Sequence, residues 1–259
     1  MLGLKPEIRV MTQEQIQKVH NDALLILEKT GVMVDDPGAR ALLENAIGKS
    51  HENHRIQIPR ELVERAINTA PSEIKIFDRL GNPCFILTGD GSQDAVFGIG
   101  VTNLHYQDPL KNDIQPFLRH HMATATGLGH TLDNFDFIST PGVIQDISPE
   151  TADLYGVLEM MANTTKPLVI LISDWDSFNP ALDLCEHLHG DISTHPFLIP
   201  YVNPITPLTL NSETTLKMDA SIKRGLPLIF SNYGMSGATC PITPAGTLAL
   251  LTAELLAGL

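Results

Sequence analysis

Hydrophobic residues fall along the first third of the chain at helical spacing. Ile16, Val19, Ala23, Ile26 and Leu27 form one stripe, preceded by the capping-box pair Thr12 and Gln15 and closed by Gly31. Asp36-Pro37, a capping residue followed by proline at the first helical position, predicts a second helix. The stretch "IQIPRELVERAINTAP" reads as a short strand running into a third helix, from residue 59 or 60 to 69. In "EIKIFDRLGNPCFIL" the Gly-Asn-Pro separates two apolar arms, as a hairpin turn does. Residues 1–92 therefore read as a small α/β cap.

Beyond residue 92 the pattern changes to continuous apolar runs at 96–100, 135–139, 168–172, 197–202 and 226–230, the last four starting roughly 30 residues apart. That spacing is one strand plus one helix. Helix-start signals fall between the runs: Gln115-Pro116, Ser148-Pro149-Glu150, Asn179-Pro180, Asn211 with Glu213, and Thr243-Pro244. Strands alternating with helices predict a parallel sheet covered on its faces. An open doubly wound sheet would favour a GxGxxG turn after its first strand, and "GIGVTN" at 98–103 lacks the third glycine. The remaining solution is a (β/α)8 barrel of the TIM type. Five strands are visible where a barrel needs eight, so 93–259 holds either the first part of such a barrel or strands that periodicity does not show.

Composition narrows the function classes. Among 259 residues, 30 acidic against 17 basic side chains give a net charge of −13, and no Lys/Arg stripe offsets it, which argues against nucleic acid as a partner. Cys84, Cys185 and Cys240 are far apart and odd in number, so neither a disulfide framework nor a zinc ribbon is expected, and a reducing cytoplasm fits best. The opening "MLGLKPEIRVMTQEQ" lacks the apolar core of a signal peptide, and the nearly apolar run 248–259 is short and interrupted by Glu254. Neither export nor a membrane span is expected.

In a parallel α/β protein the chemistry collects at the C-terminal ends of the strands. The residues there are Gly100, Thr102 and Asn103; Ser139 and Thr140; Ser173, Asp174 and Trp175; Tyr201, Asn203 and Thr206; and Ser231, Asn232, Tyr233 and Met235. Trp175, the one tryptophan, stands beside Asp174, with Tyr201 and Tyr233 at the ends of the next two strands. Aromatic faces with a carboxylate suit a quaternary ammonium ion, although a tryptophan at that position also serves simply to cap a barrel rim. Cys185 and His189 are four apart, as metal ligands on one helical face would be, but His187 falls off that face and both histidines precede Gly190, where a helix C-terminus favours them. No metal site is therefore expected, and His120-His121 are expected on the surface. No histidine follows His195 to serve as base for Cys240, so that cysteine is expected to be structural.

The segments "ILEKTGVMVDD", "RIQIPRELVERAINTAPSEIKIFDR", "FISTPGVIQDISPETADLYGVLEMMANTTKPLVI", "YVNPITPLTL" and "GMSGATCPITPAGTLALL" together resemble the trimethylamine methyltransferase (MttB-like) family, in order and over essentially the whole chain. The resemblance implies a TIM barrel that passes a methyl group from a tertiary or quaternary amine, of the trimethylamine or glycine betaine type, to cobalt(I) on a separate corrinoid (cobalamin-bearing) protein. Family members are roughly twice as long as this chain, so the resemblance implies that the chain is the N-terminal part, inactive alone, with no tightly bound cofactor of its own; pyrrolysine, where the family uses it, belongs to the other half. Under this reading Asp174, Trp175, Tyr201, Asn203, Asn232 and Tyr233 bind the amine, and Gly98, Gly100, Met235, Gly237 and Thr239 face the corrinoid. A homo-oligomer is compatible with it. The competing reading is a non-catalytic half-barrel that docks a second chain or the corrinoid protein along an open sheet edge.

Overall fold

The computed structural model describes residues 8–50, 55–90 and 93–259. Residues 1–7 of the opening read for a signal peptide, and the boundary placed at residue 92, lie outside the described residues. In chain order the elements are α1 (Gln13–Lys29), β1 (Val32–Val34), α2 (Pro37–Ile47), β2 (Arg55–Ile56), α3 (Arg60–Thr69), β3 (Glu73–Phe77), β4 (Pro83–Thr88), β5 (Gly98–Ile99), β6 (His105–Gln107) and β7 (Ile114–Pro116). They continue with α4 (Arg119–Thr131), β8 (Phe137–Ser139), α5 (Pro149–Asn163), β9 (Leu168–Ile170), α6 (Trp175–His189), β10 (Leu198–Val202), β11 (Thr209–Leu210), α7 (Ser212–Lys223), β12 (Ile229–Phe230) and α8 (Pro244–Gly258). Two compact units result. One is built from the chain up to Ala70 with Asn203–Ser212 and Ser231–Leu259, the other from Pro71–Val202 with Glu213–Phe230.

In the first unit the capping box forms as expected: Thr12 Oγ1 accepts from Gln15 N at 3.2 Å, and Gln15 Oε1 accepts from Thr12 N at 2.8 Å. At the other end of α1, the N–H groups of Thr30 and Gly31 both donate to Ile26 O, and Gly31 takes φ +71°. Asp36 caps α2 by accepting from Ala39 N at 2.7 Å. β1 pairs parallel with β11 and antiparallel with β2. The buried face of α1 (Ala23, Leu24, Leu27) is packed by α3 and by α8, whose own buried residues are Ala249, Leu250, Ala253 and Glu254.

The second unit holds a five-stranded sheet in the order β12-β10-β9-β8-β5, with every neighbouring pair parallel. Strands thus add in chain order without reversing direction, and among the described residues this sheet has no switch point at which strand order turns back, as it does in a doubly wound sheet. Side chains alternate between two faces. Ile138, Leu168, Ile170 and Leu198 enter one large core with Met122, Val157, Met160, Phe178, Leu182 and Cys185 of the helices. Val169 and Ile199 face the other way, joining Ile76 of the β3–β4 hairpin, with Phe137, Leu171, Tyr201 and Ile229 partly buried around them. The hairpin is tied to the chain just ahead of β9 and β10: Phe77 N donates to Pro196 O at 3.0 Å and Arg79 N to Thr165 O at 2.8 Å. It therefore covers the N-terminal end of this second face and leaves the C-terminal strand ends uncovered by it.

All five expected strands are present, and two helix starts differ from expectation. Gln115-Pro116 belongs to β7, the second strand of a β6–β7 hairpin, and α4 begins at Arg119. Asn179-Pro180 lies inside α6, which starts at Trp175 because Asp174 is the residue that caps it. Among the described residues no helix is long and apolar enough to cross a membrane.

Gly31 combines a left-handed backbone with a close approach, since a Cβ there would overlap the Ile56 carbonyl. Gly31→Ala is expected to destabilise the fold by about 2 kcal/mol or more, read as a lower urea midpoint; an unchanged midpoint would contradict this packing.

Candidate functional site

In the second unit, the chain leaving β9 is held from both sides. Lys217 of α7, a buried lysine, donates from Nζ to Ile172 O at 3.0 Å, to Ser173 O at 2.9 Å and to Glu213 Oε2 at 3.3 Å. Asp153 of α5 accepts from Ser173 N at 2.6 Å. Burial, with the charge of Asp174 adding to it, raises the Asp153 carboxyl above its ordinary 3.8, against the opposing bonds from Ser173 and the charge of Lys217. This clamp fixes the backbone from which Asp174 and Trp175 emerge.

Asp174 Oδ1 accepts from Ser177 N at 2.9 Å as the cap of α6. Trp175, half-buried, stacks on Phe178 with centroids 6.3 Å apart and packs into the helix-side core. Tyr201 packs on the opposite face of the sheet, beside Val169 and Ile199. Trp175 and Tyr201 are therefore not brought together as facing aromatic walls. Gly98 lies so close to the Phe137 ring that a Cβ would overlap it, whereas a Cβ on the exposed Gly100 would meet nothing within 4 Å.

In the first unit, the segments after β10 and β12 are joined through one carboxylate. Glu254 of α8, 1 % exposed, accepts from Thr206 Oγ1 at 2.8 Å, from Leu208 N at 2.6 Å and from Asn232 Nδ2 at 2.6 Å. Asn232 also donates to Leu251 O at 2.9 Å. Asn203 is exposed, as is Tyr233, at 73 %. The following loop bonds to itself: Met235 O accepts from the N–H groups of Ala238, Thr239 and Cys240, Thr239 Oγ1 accepts from Met235 N, and Gly237 turns at φ +82°. Met235 and Ile242 are exposed there, while Cys240 is buried with its sulfur against Gly234, filling space that a Cβ would take. Periodicity pointed to none of Glu254, Lys217 or Asp153. The signal available for Glu254 was a single acid inside the apolar run "LALLTAELLAGL", where an unshared charge is costly unless several donors meet it.

The histidines and the remaining thiols have local partners. His120 is exposed, but His121 is buried, contrary to expectation: its ring stacks on Tyr106 at 4.0 Å and its Nδ1 accepts from Leu118 N at 3.0 Å. Burial, then the neighbouring His120, lowers its pKa below 6.5. Cys185 lies in the helix-side core, where burial pushes its thiol up to about 12, and His189 Nδ1 is 2.8 Å from Arg79 O.

A five-stranded parallel sheet wound in chain order, with polar and aromatic residues at its C-terminal strand ends, makes this a mixed α/β protein, consistent with part of a barrel-like fold. The sequence profile of one family, described as trimethylamine methyltransferase (MTTB), matches residues 3–259. The chain belongs to that family. It is 26% identical to trimethylamine methyltransferase MttB of Desulfitobacterium hafniense (strain DSM 10664 / DCB-2), over 95% of this chain and 50% of that protein. It is also 26% identical to MttB1 of Methanosarcina acetivorans, over 98% of this chain and 52% of that one. A third relative, the glycine betaine methyltransferase of D. hafniense (strain Y51), is 26% identical over 99% of this chain and 53% of its own length. The chain thus spans about half the length of the curated relatives it matches.

Two measurements check this geometry. Of the three cysteines, Cys84 is exposed and Cys185 and Cys240 are buried, so a thiol reagent is expected to label Cys84 in the folded protein and the other two only after denaturation. Partial burial, then Asp78 and Asp136, raises the Cys84 pKa, so that labelling speeds up with pH. For Asp153, a folded-state pKa above 3.8 means the proton is held more tightly in the folded chain, so its contribution to stability is full below 3.8 and is lost as pH rises through the folded value. Asp153→Asn keeps an acceptor for Ser173 and escapes that loss. Urea midpoints are expected to shift in favour of the variant, relative to the parent, between the acid range and about pH 7.

Proposed function

We propose that the protein is an amine methyltransferase that moves a methyl group from a tertiary or quaternary amine to the cobalt(I) of a separate corrinoid protein. The observation that carries this reading is the match of almost the whole chain to amine methyltransferases of two substrate types, trimethylamine and glycine betaine. The five parallel strands in chain order support the further proposal that 93–259 is the first part of a (β/α)8 barrel, preceded by the cap at 1–92. The relatives' full length leaves room for the remaining strands.

The corrinoid, when bound, supplies the cobalt(I) nucleophile. A surface for so bulky a planar group needs open backbone rather than projecting side chains, and Gly100, with no atom within 4 Å of a would-be Cβ, and Gly237, whose nearest atoms are 3.8 Å and 3.9 Å away in Ile242, fit that need. Met235 and Thr239 accompany Gly237 in the proposed corrinoid-facing set of the first unit, and Gly98, proposed with Gly100 in the second, is instead packed on the Phe137 ring. For the amine, the proposed residues of the first unit are Asn203, Asn232 and Tyr233; in the second unit Tyr201 on one face of the sheet and Asp174 with Trp175 on the other are separate candidates. A quaternary ammonium, or a tertiary amine bound already protonated on nitrogen, departs as a neutral amine, because the electron pair of the broken N–C bond stays on nitrogen, so these residues need neither a general acid nor a base. Their work is to orient the cation in line and exclude water. A cytoplasmic setting, where free thiols and a reduced corrinoid persist, accompanies this reading.

The test is to mix the protein at its full natural length with its corrinoid protein, reduced to cobalt(I), and follow the cobalt absorbance with each of a panel of tertiary and quaternary amines. Demethylation of at least one is expected, and residues 1–259 alone are expected to turn over none. No response across the panel would sink the reading.

A further inference from the structure

The Glu254 network does more than join two loops. The Asn232 amide has two N–H donors, and both are consumed inside the first unit, one by the Leu251 carbonyl at 2.9 Å and the other by Glu254 Oε2 at 2.6 Å. Neither acceptor can donate in this arrangement, so the amide is fixed in one orientation: Nδ2 faces inward and Oδ1 faces away. Among the described residues nothing donates to Oδ1, and Asn232 is half-buried next to the exposed Tyr233. Glu254 itself is met by Thr206 Oγ1, Leu208 N and Asn232 Nδ2, all neutral donors, and among the described residues no cationic side chain pairs with it. A buried carboxylate without a cation leaves a negative potential around it. The short bond to Asn232 passes part of that charge on, because a hydrogen bond to an anion polarises the donor amide and makes its oxygen more negative.

We infer that Glu254 is a positioning residue that locks and polarises Asn232 so that Oδ1 serves as the acceptor for a methylated ammonium ion, with Tyr233 as the adjoining aromatic surface. This rests on the proposed amine-methyltransferase reading and adds to it the group that tells a cation from a neutral molecule of the same shape. An oxygen carrying partial negative charge attracts the polarised methyl groups of the ammonium, the aromatic ring adds cation–π attraction, and neither favours an uncharged tert-butyl analogue. No carboxylate has to be exposed to solvent to achieve this.

The experiment is calorimetric titration of the full-length chain with trimethylammonium, tetramethylammonium and glycine betaine, and with 3,3-dimethylbutanoate, the neutral-carbon counterpart of the last. Glu254→Gln keeps the shape but offers Asn232 a donor, releasing the amide to turn over; Asn232→Leu removes Oδ1 directly. Each is expected to weaken binding of the ammonium ligand by about tenfold and to leave the carbon analogue unchanged. In the unaltered chain the Asn232 side-chain N–H protons are expected to exchange slowly with solvent by NMR. Variants that bind the ammonium as the parent does, or that weaken both ligands equally, would overturn the inference and leave the underlying reading standing. Fast-exchanging Asn232 amide protons would also overturn it, without depending on either variant folding. If the unaltered chain binds no member of the panel, the underlying reading fails and the inference with it.

Discussion

A parallel sheet must be covered on both faces, because its strands are joined by crossovers and its side chains on both sides are apolar. Here that requirement divides the second unit. One face of the sheet carries the large core shared with the helices, and the other carries Val169 and Ile199 against Ile76, with Phe137, Leu171, Tyr201 and Ile229 only partly covered. The β3–β4 hairpin supplies that cover where the strands begin. It leaves Tyr201 near the end of β10 with part of its surface still open, on the opposite side of the sheet from Trp175. The functional question thus follows from a packing requirement: apolar surface near the C-terminal strand ends is what this unit leaves available.

Two buried charges hold the backbone around these ends, one in each unit, by different chemistry. Lys217 is a cation met by two backbone carbonyls and the Glu213 carboxylate, so it fixes the chain after β9 by gathering acceptors. Glu254 is an anion surrounded by N–H and O–H groups, so it fixes the segments around Thr206 and Asn232 by gathering donors. Either group would be costly to bury alone, and each is buried with three partners. Removing one of them does not merely delete a bond, since it leaves several backbone or side-chain groups without partners at once. The strand-end loops therefore depend on residues of the helices rather than on their own side chains.

Much of this fold could be read before the structure. The five strands were legible because a strand buried on both faces is a continuous apolar run, and the capping pairs Thr12/Gln15, Asp36/Pro37 and Thr243/Pro244 were legible because a cap is a local interaction. The β6–β7 hairpin was not, since its strands are short, polar and exposed, and Gln115-Pro116 mimics a helix start. Asn179-Pro180 misled for a related reason. Asp174 caps α6 one and a half turns earlier, and Asn179 uses its side-chain oxygen instead to accept from Arg224 at 3.1 Å. The strand-end residues were found by position, but their bonding was not, because Glu254, Lys217 and Asp153 act across 20 to 48 residues of chain. No local pattern marks a partner at such a distance.

What the candidate side chains have left after folding is more informative than their identity. The three glycines of "SNYGMSGATCPITPAG" are accounted for by packing and turns: Gly234 makes room for Cys240, Gly237 takes a left-handed turn, and Gly246 lies against Thr243 and Pro241 where a Cβ would crowd them. Thr239 spends its oxygen on Met235 N, Asp174 spends one oxygen on its helix, Trp175 spends its ring on the core, and Asn232 spends both N–H groups internally. The amide oxygen of Asn232, the ring of Tyr233 and the thioether of Met235 remain in the first unit, and the second oxygen of Asp174 in the second. These are electron-rich acceptors and polarisable surfaces, and none of them carries positive charge. Under the proposed reading, the remainder in the first unit suits the part of a ligand made of methyl groups around a positive nitrogen.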